Sequence, residues 1–290
     1  MESIPDSELI LNADGSIYHL NLLPGDCSET IITVGDQERV GQISKHFDSI
    51  ELKKGKREFS THTGWYKGHR ISVISTGIGT DNIDIVFNEL DALFNIDFTT
   101  RKPKSTKTKL KFIRIGTSGA FQKDIAIDSY LLTKKAIGID ALLHFYETKD
   151  LENKRFKNAL HQHLNWAKHT INPYVFDGSN TLSSLFKNTL FKEGCTVTSP
   201  GFYGPQGRIL QLQPKLKDFF ETLSTFEFEG ERLTNLEMET AGIYGLAKLL
   251  GHEAISLNAI LANRANGTFS KTPQETVEKL IVLTLDVLTK

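Results

Sequence analysis

Apolar residues fall in short runs broken by glycine and polar punctuation. Ile31-Ile32-Thr33-Val34, closed by Gly35-Asp36, predicts a buried strand feeding a helix over 37–47. Segments 59–66 and 71–75 predict a hairpin with Lys67-Gly68-His69 at its turn. Thr76-Gly77-Ile78-Gly79 then ends a strand. Ile83, Val86, Phe87, Leu90, Leu93 and Phe94 follow at helical spacing, an amphipathic helix. The apolar run Lys111-Phe112-Ile113 leads into Arg114-Ile115-Gly116-Thr117-Ser118-Gly119, which reads as a strand turning into a glycine loop. A further strand is predicted near 130–132, with others at 195–198 and 254–261. Helical patterns occupy about 152–170, 180–192, 215–224, 240–250 and 274–289. Strands interleaved with helices, with glycine loops at strand ends, predict α/β layers around a mostly parallel or mixed sheet. Ligands in such folds sit at the carboxyl ends of strands.

Residues 99–109 (TTRKPKSTKTK) break the pattern: basic, polar and non-periodic, they predict an exposed insertion. They carry no interleaved aromatics, so they do not read as a nucleic-acid patch. No composition shift or repeat marks a second domain, and 1–290 reads as one. The 39% hydrophobic and 24% charged composition is that of a soluble globular protein. A net charge of −1 gives no general attraction to nucleic acid or to anionic membrane. Two cysteines, Cys27 and Cys195, fit neither a disulfide framework nor a metal signature. With no basic n-region and no apolar h-region at the start, the expected setting is cytoplasmic.

Five segments offer chemistry. Gly35-Asp36-Gln37-Glu38-Arg39 places an arginine in the first turn of a helix, where free N–H groups attract anions, although taken alone Arg39 reads first as a surface helix residue. Arg57 opens a strand, and Arg114 with Thr117 borders the glycine segment; converging, Arg39, Arg57, Arg114 and Thr117 would clamp phosphate. Gly201-Phe202-Tyr203-Gly204-Pro205-Gln206-Gly207-Arg208 combines a stacking aromatic, an amide and a guanidinium. That set suits a flat heterocycle with alternating carbonyl and N–H groups, although a plain structural glycine–proline loop fits equally well. In Glu237-Met238-Glu239, carboxylates at i and i+2 share a face if extended, and could accept from a sugar diol or serve the following helix dipole. His161-Gln162-His163 reads as solvated rather than metal-binding; no metal is expected.

These pieces, in this order, resemble the nucleoside phosphorylase-I superfamily, most closely its uridine phosphorylase branch. The anchors are 34–40, Arg57-Glu58-Phe59, 75–79, 114–119, the 202–208 loop and 237–239. The resemblance implies a three-layer α/β/α sandwich around a mixed, distorted central sheet. It implies phosphorolysis of a nucleoside, here uridine plus phosphate to uracil plus ribose 1-phosphate, with inorganic phosphate as co-substrate and no cofactor. Its alternatives are a purine nucleoside phosphorylase, a nucleosidase, or a non-catalytic nucleoside-binding protein. Gly35, Arg39, Arg114 and Thr117 would hold phosphate, joined by Arg57 of a neighbouring subunit. Glu237, Met238 and Glu239 would hold the ribose, with His19 arriving across the subunit boundary. Phe202 would flank the base while Gln206 and Arg208 read its edge, and Arg39, Arg114, Gln206 and Arg208 would carry catalysis. A homo-oligomer, dimer or hexamer, is implied. Two departures stand out: Tyr203-Gly204-Pro205-Gln206 reverses the usual proline–glycine order, and Leu261-Ala262-Asn263-Arg264 lacks the aspartate of purine-specific members.

Overall fold

The computed structural model describes residues 3–148, 150–166, 171–187 and 189–290. In chain order, β1 (Thr30–Val34) leads to α1 (Gln37–Ser44), then to β2 (Ser49–Lys56), β3 (Phe59–Tyr66) and β4 (His69–Ser75). Helix α2 (Thr80–Asn95) is followed by the short pair β5 (Ile96–Asp97) and β6 (Lys102–Pro103), then by β7 (Lys111–Ala120) and β8 (Tyr130–Gly138). Next come α3 (Lys154–Leu164), β9 (Tyr174–Asp177), α4 (Asn180–Leu185) and β10 (Phe191–Thr198). The last third holds α5 (Phe219–Ser224), β11 (Glu227–Phe228), β12 (Glu231–Glu237), α6 (Thr240–Leu250), β13 (Glu253–Asn263), β14 (Thr268–Phe269) and α7 (Pro273–Leu288).

Among the described residues, β5 and β6 pair separately, and the other strands form one mixed sheet in the order β11-β12-β10-β8-β13-β7-β1-β4-β3-β2, with β9 added on β8 and β14 on β13. Strand β12 also pairs antiparallel with β7, through Asn235↔Ala120 and Leu236↔Gly119. This second pairing rolls β7, β13, β8, β10 and β12 into a closed turn, the distortion expected of the central sheet. Helices cover both faces. Ile83, Val86, Phe87 and Leu90 of α2 pack with Ile243 and Leu246 of α6 on one side. Val40 and Ile43 of α1 pack with Leu280, Ile281 and Leu285 of α7 on the other. The sandwich architecture holds.

Several local expectations change. The stretch 114–119 is no turn: β7 runs straight through it, paired in register with β13 from Ser256↔Arg114 to Ile260↔Ser118. The glycines serve close packing inside a strand rather than a loop that frees backbone N–H groups. Helix α1 stops at Ser44 rather than near 47, and β2 was not anticipated, because its lysine-rich half-exposed sequence shows no apolar alternation. The 180–192 pattern divides into a six-residue helix and the start of β10, and the 215–224 helix shortens to α5. Of the 152–170 pattern, α3 occupies Lys154–Leu164, and 167–170 lies outside the described residues, as does 188. The 99–109 segment is largely exposed but tethered. β6 pairs with β5, and Arg101 donates to the carbonyl oxygens of Ile4 (2.7 Å) and Pro5 (3.1 Å). Among the described residues no helix is long and apolar enough to cross a membrane.

Candidate active site

Strands β1, β7 and β13 lie side by side and parallel, so their carboxyl ends open on the same edge. There a cavity of about 410 Å³ is lined by Gly35 and Arg39, by Arg114 and Thr117, by Phe202, Gln206 and Arg208, and by Glu237, Met238 and Glu239. Ten of the twelve expected site residues thus converge on one space although they span more than two hundred positions of sequence. His19 and Arg57 do not line it. The His19 ring meets Glu89 at 2.6 Å, and Arg57 sits exposed at the β2–β3 turn with φ 57°.

The floor is ionic and buried. Arg114 Nη2 donates to Glu239 Oε2 at 2.5 Å and lies 3.3 Å from Glu237 Oε2, while Nη1 donates to Asn258 Oδ1 at 3.2 Å. Burial works against the Arg114 charge, but Glu237 and Glu239 beside it prevail and hold its pKa above the ordinary value. Burial, reinforced by Glu237, raises the pKa of Glu239 although Arg114 pulls the other way. Gly79, at φ 98°, donates its backbone N–H to Glu239 Oε1 at 2.8 Å. A side chain there would be strained in that left-handed geometry, which explains the glycine at the end of the Thr76–Gly79 segment.

Glu237 is committed to its own chain. Its Oε1 accepts from Thr198 Oγ1 (2.5 Å), and its Oε2 accepts from the backbone N–H of Glu239 and of Thr240 (both 2.9 Å). The carboxylate therefore satisfies the amino end of α6, as the helix-dipole alternative anticipated. Of the pair, Glu239 faces fewer donors of its own chain.

One wall is cationic. Asp36 caps α1, accepting from the Glu38 N–H at 2.9 Å, and this fixes the first turn that carries Arg39. The Arg39 Nε is buried with no hydrogen-bond partner among the described residues. Burial, and then the charge of Arg114, push the Arg39 pKa down. A guanidinium faced by another guanidinium, with an unanswered buried N–H, calls for an anion.

The opposite wall is a loop. A short 3-10 turn at Gly204–Gln206 ends at Gly207 and swings Arg208 back over the Phe202 ring, with Cζ 3.7 Å from its centroid. Arg208 Nη1 donates to the Phe202 carbonyl (2.6 Å) and to Gln206 Oε1 (2.5 Å), so amide and guanidinium are preassembled against one another. Burial, and then Arg264, lower the Arg208 pKa. A larger cavity of about 780 Å³ lies behind this loop, lined by Leu210, Leu212, Leu216 and Phe219. Its lining is mostly apolar and shares Arg208 with the smaller cavity, but no carboxylate lines it, so the paired guanidinium and carboxylate groups belong to the smaller cavity.

A family model of the phosphorylase superfamily matches residues 29–289, nearly the whole chain. The chain belongs to the phosphorylase superfamily. It is 30% identical to a uridine phosphorylase of Thermococcus kodakarensis over 93% of this chain and 86% of that protein. It is 26% identical to a DeoD-type purine nucleoside phosphorylase of Shewanella denitrificans, covering 92% of this chain and 96% of that one. Among solved structures it is similar to a Trypanosoma brucei nucleoside phosphorylase described as showing uridine phosphorylase activity. There the TM-score is 0.87 and the identity 26%, with 97% of this chain and 99% of that chain covered.

Within this phosphorylase-superfamily site, two residues escaped the sequence reading. Arg264, noted there only for the missing aspartate, donates to the carbonyl oxygens of Gln206 and of Gly207 (3.4 Å) and so ties the 202–208 loop to the end of β13. Its position one residue past a strand end was the available signal. Asn258 lies mid-strand with nothing in its sequence context to set it apart. The 161–163 histidines are remote from the cavity, and His163 bonds the Thr222 carbonyl at 2.9 Å.

Proposed function

We propose that this chain catalyses phosphorolysis of a pyrimidine nucleoside, uridine plus inorganic phosphate giving uracil and ribose 1-phosphate. The observation that carries this reading is Arg39. Its Nε is buried with no partner among the described residues, and its side chain lines a cavity that also holds the paired Arg114 and Glu239. An anion completes that arrangement, and a sugar diol is the natural partner of the remaining acceptor capacity on Glu239.

Phosphate held by Gly35, Arg39, Arg114 and Thr117 lies at the sugar end, with the base against Phe202, Gln206 and Arg208. As the C1′–N1 bond breaks, its electron pair leaves with the base and positive charge grows on the sugar. The phosphate dianion stabilises that charge and one of its oxygens closes the new bond to C1′. Arg208 and Gln206 stabilise the negative charge arriving on the uracil oxygens, which then takes a proton from water. Nothing in this sequence of events requires a protein nucleophile or a cofactor.

A second copy of the chain supplies Arg57 to the phosphate and His19 to the ribose in this reading, since neither reaches the cavity of its own chain. A homo-oligomer, dimer or hexamer, in the cytoplasm is the corresponding setting. The purine reading, carried by the DeoD-type relatives, is weaker because Leu261 and Ala262 line the cavity where an acidic residue would assist a purine. Incubation with uridine, thymidine and inosine, with and without phosphate, tests the proposal by release of free base. Phosphate-dependent uracil release is expected. Base release that ignores phosphate would overturn the phosphorylase reading, and preferential cleavage of inosine would overturn the pyrimidine one.

A further inference from the structure

Arg114 lies in its slot because of its neighbours on two parallel strands. Across β7 and β13 the register sets Ser256 opposite Arg114 and Asn258 opposite Gly116. The arginine side chain leans along its own strand and covers Gly116 so closely that a Cβ there would lie 1.7 Å from Nη1 and 2.5 Å from Cζ. With that face bare, Nη1 reaches Asn258 Oδ1 at 3.2 Å.

Asn258 is fully buried, and its amide can stand only one way round. Arginine has no acceptor, so the oxygen must face it. The Nδ2 group then donates to Ser256 Oγ (3.1 Å) and Thr133 Oγ1 (3.4 Å). Ser256 Oγ meets Thr240 Oγ1 at 2.9 Å, and Thr240 Oγ1 donates to Glu237 Oε2 at 2.8 Å. Glu237 Oε2 returns to Arg114 Nη2 at 3.3 Å. The polar contacts close into a ring: Arg114, Asn258, Ser256, Thr240, Glu237 and back.

We infer that Asn258 is a positioning residue for the phosphate site, orienting the Arg114 guanidinium with an acceptor that carries no charge. The absence of charge matters as much as the bond. Glu237 and Glu239 already stand beside Arg114, and a third carboxylate would consume the positive charge that an incoming phosphate needs. Asparagine fixes the geometry and leaves the field intact.

This inference rests on the reading of Arg114 as a phosphate ligand. Its test compares wild type, Asn258→Asp and Asn258→Leu in uridine phosphorolysis, reading the KM for phosphate, the KM for uridine and the melting temperature. Asn258→Asp keeps shape and volume, but the single protons of Ser256 and Thr133 are already given to Thr240 Oγ1 and Thr196 Oγ1, so the new oxygen gains a donor only where one of those bonds breaks. It is therefore expected to fold with a lowered melting temperature, which the melting curve reads separately from the KM values. Its phosphate KM should rise roughly 10- to 100-fold, the span expected when an interaction with a charged group is lost or opposed. The uridine KM should move by no more than about threefold, within the scatter of indirect effects. Asn258→Leu should raise the phosphate KM in the same direction.

If the folded Asn258→Asp variant keeps its phosphate KM within about twofold of wild type, or raises both KM values in step, the positioning role is overturned. Uracil release by the wild type without phosphate would be seen before any variant is made; it removes the functional reading and this inference with it.

Discussion

The two ends of the cavity are built on opposite principles. At the floor, Arg114, Glu239 and Asn258 project from strands or strand ends of the central sheet, all buried and held by several partners. At the base end, Phe202 and Tyr203 are half exposed on a loop, and Arg208 satisfies itself on its own loop. The sheet end is ordered before any ligand arrives. In the proposed function, the loop end trades the Arg208–Gln206 and Arg208–Phe202 bonds for bonds to a base. Charge that would be costly to reorganise sits on the sheet, and the half-exposed aromatic, amide and guanidinium groups sit on the loop.

Arg114→Met probes the floor and should have the largest effect. It leaves two neighbouring buried carboxylates without their cation, and breaking such a pair costs about 3–5 kcal/mol. Both the melting temperature and phosphorolysis should collapse together, checked by calorimetry and by initial rates. Arg208→Ala probes the loop. Loss of one charge-stabilising donor should lower kcat/KM for uridine by roughly 10²–10³-fold, while the melting curve scarcely moves, because the residue stands on an irregular segment. If the two variants lose stability equally, the contrast between the ends is false.

The smallest expected effect is a pH dependence. Burial and Glu237 raise the Glu239 pKa, so on acidification this carboxylate takes its proton earlier than an ordinary one. Protonation removes the acceptor offered to the sugar and weakens the pair with Arg114, so kcat/KM should rise with pH through an acid limb lying above the usual carboxylate range. Glu239→Gln should flatten that limb. An acid limb that Glu239→Gln leaves in place would assign it elsewhere.

Much of this was readable in the residues. The α2 helix showed in Ile83, Val86, Phe87 and Leu90, and the converging set showed in six short motifs. What escaped depended on the third dimension. Gly116 and Gly119 were read as turn formers, yet Gly116 is bare so that an arginine two residues earlier can lie across it. Strand β2 escaped because its lysines are edge residues, placed by solvent rather than by a core. The double service of Glu237, ligated by Thr198 and capping α6, requires knowing that β10 and β12 are neighbours. Arg264 and Asn258 needed the register of β13.

The ion pair at the floor also bears on how the chain is made. Arg114 is separated by 125 positions from Glu239 and by 144 from Asn258. Synthesis proceeds from the amino terminus, so the cation at the centre of β7 exists long before its counter-charges. Sealing that strand early would strand a bare charge in the core. An amino-terminal fragment that ends short of β12 and β13 lacks every partner that Arg114 has in the finished interior, and is expected to leave that guanidinium in water.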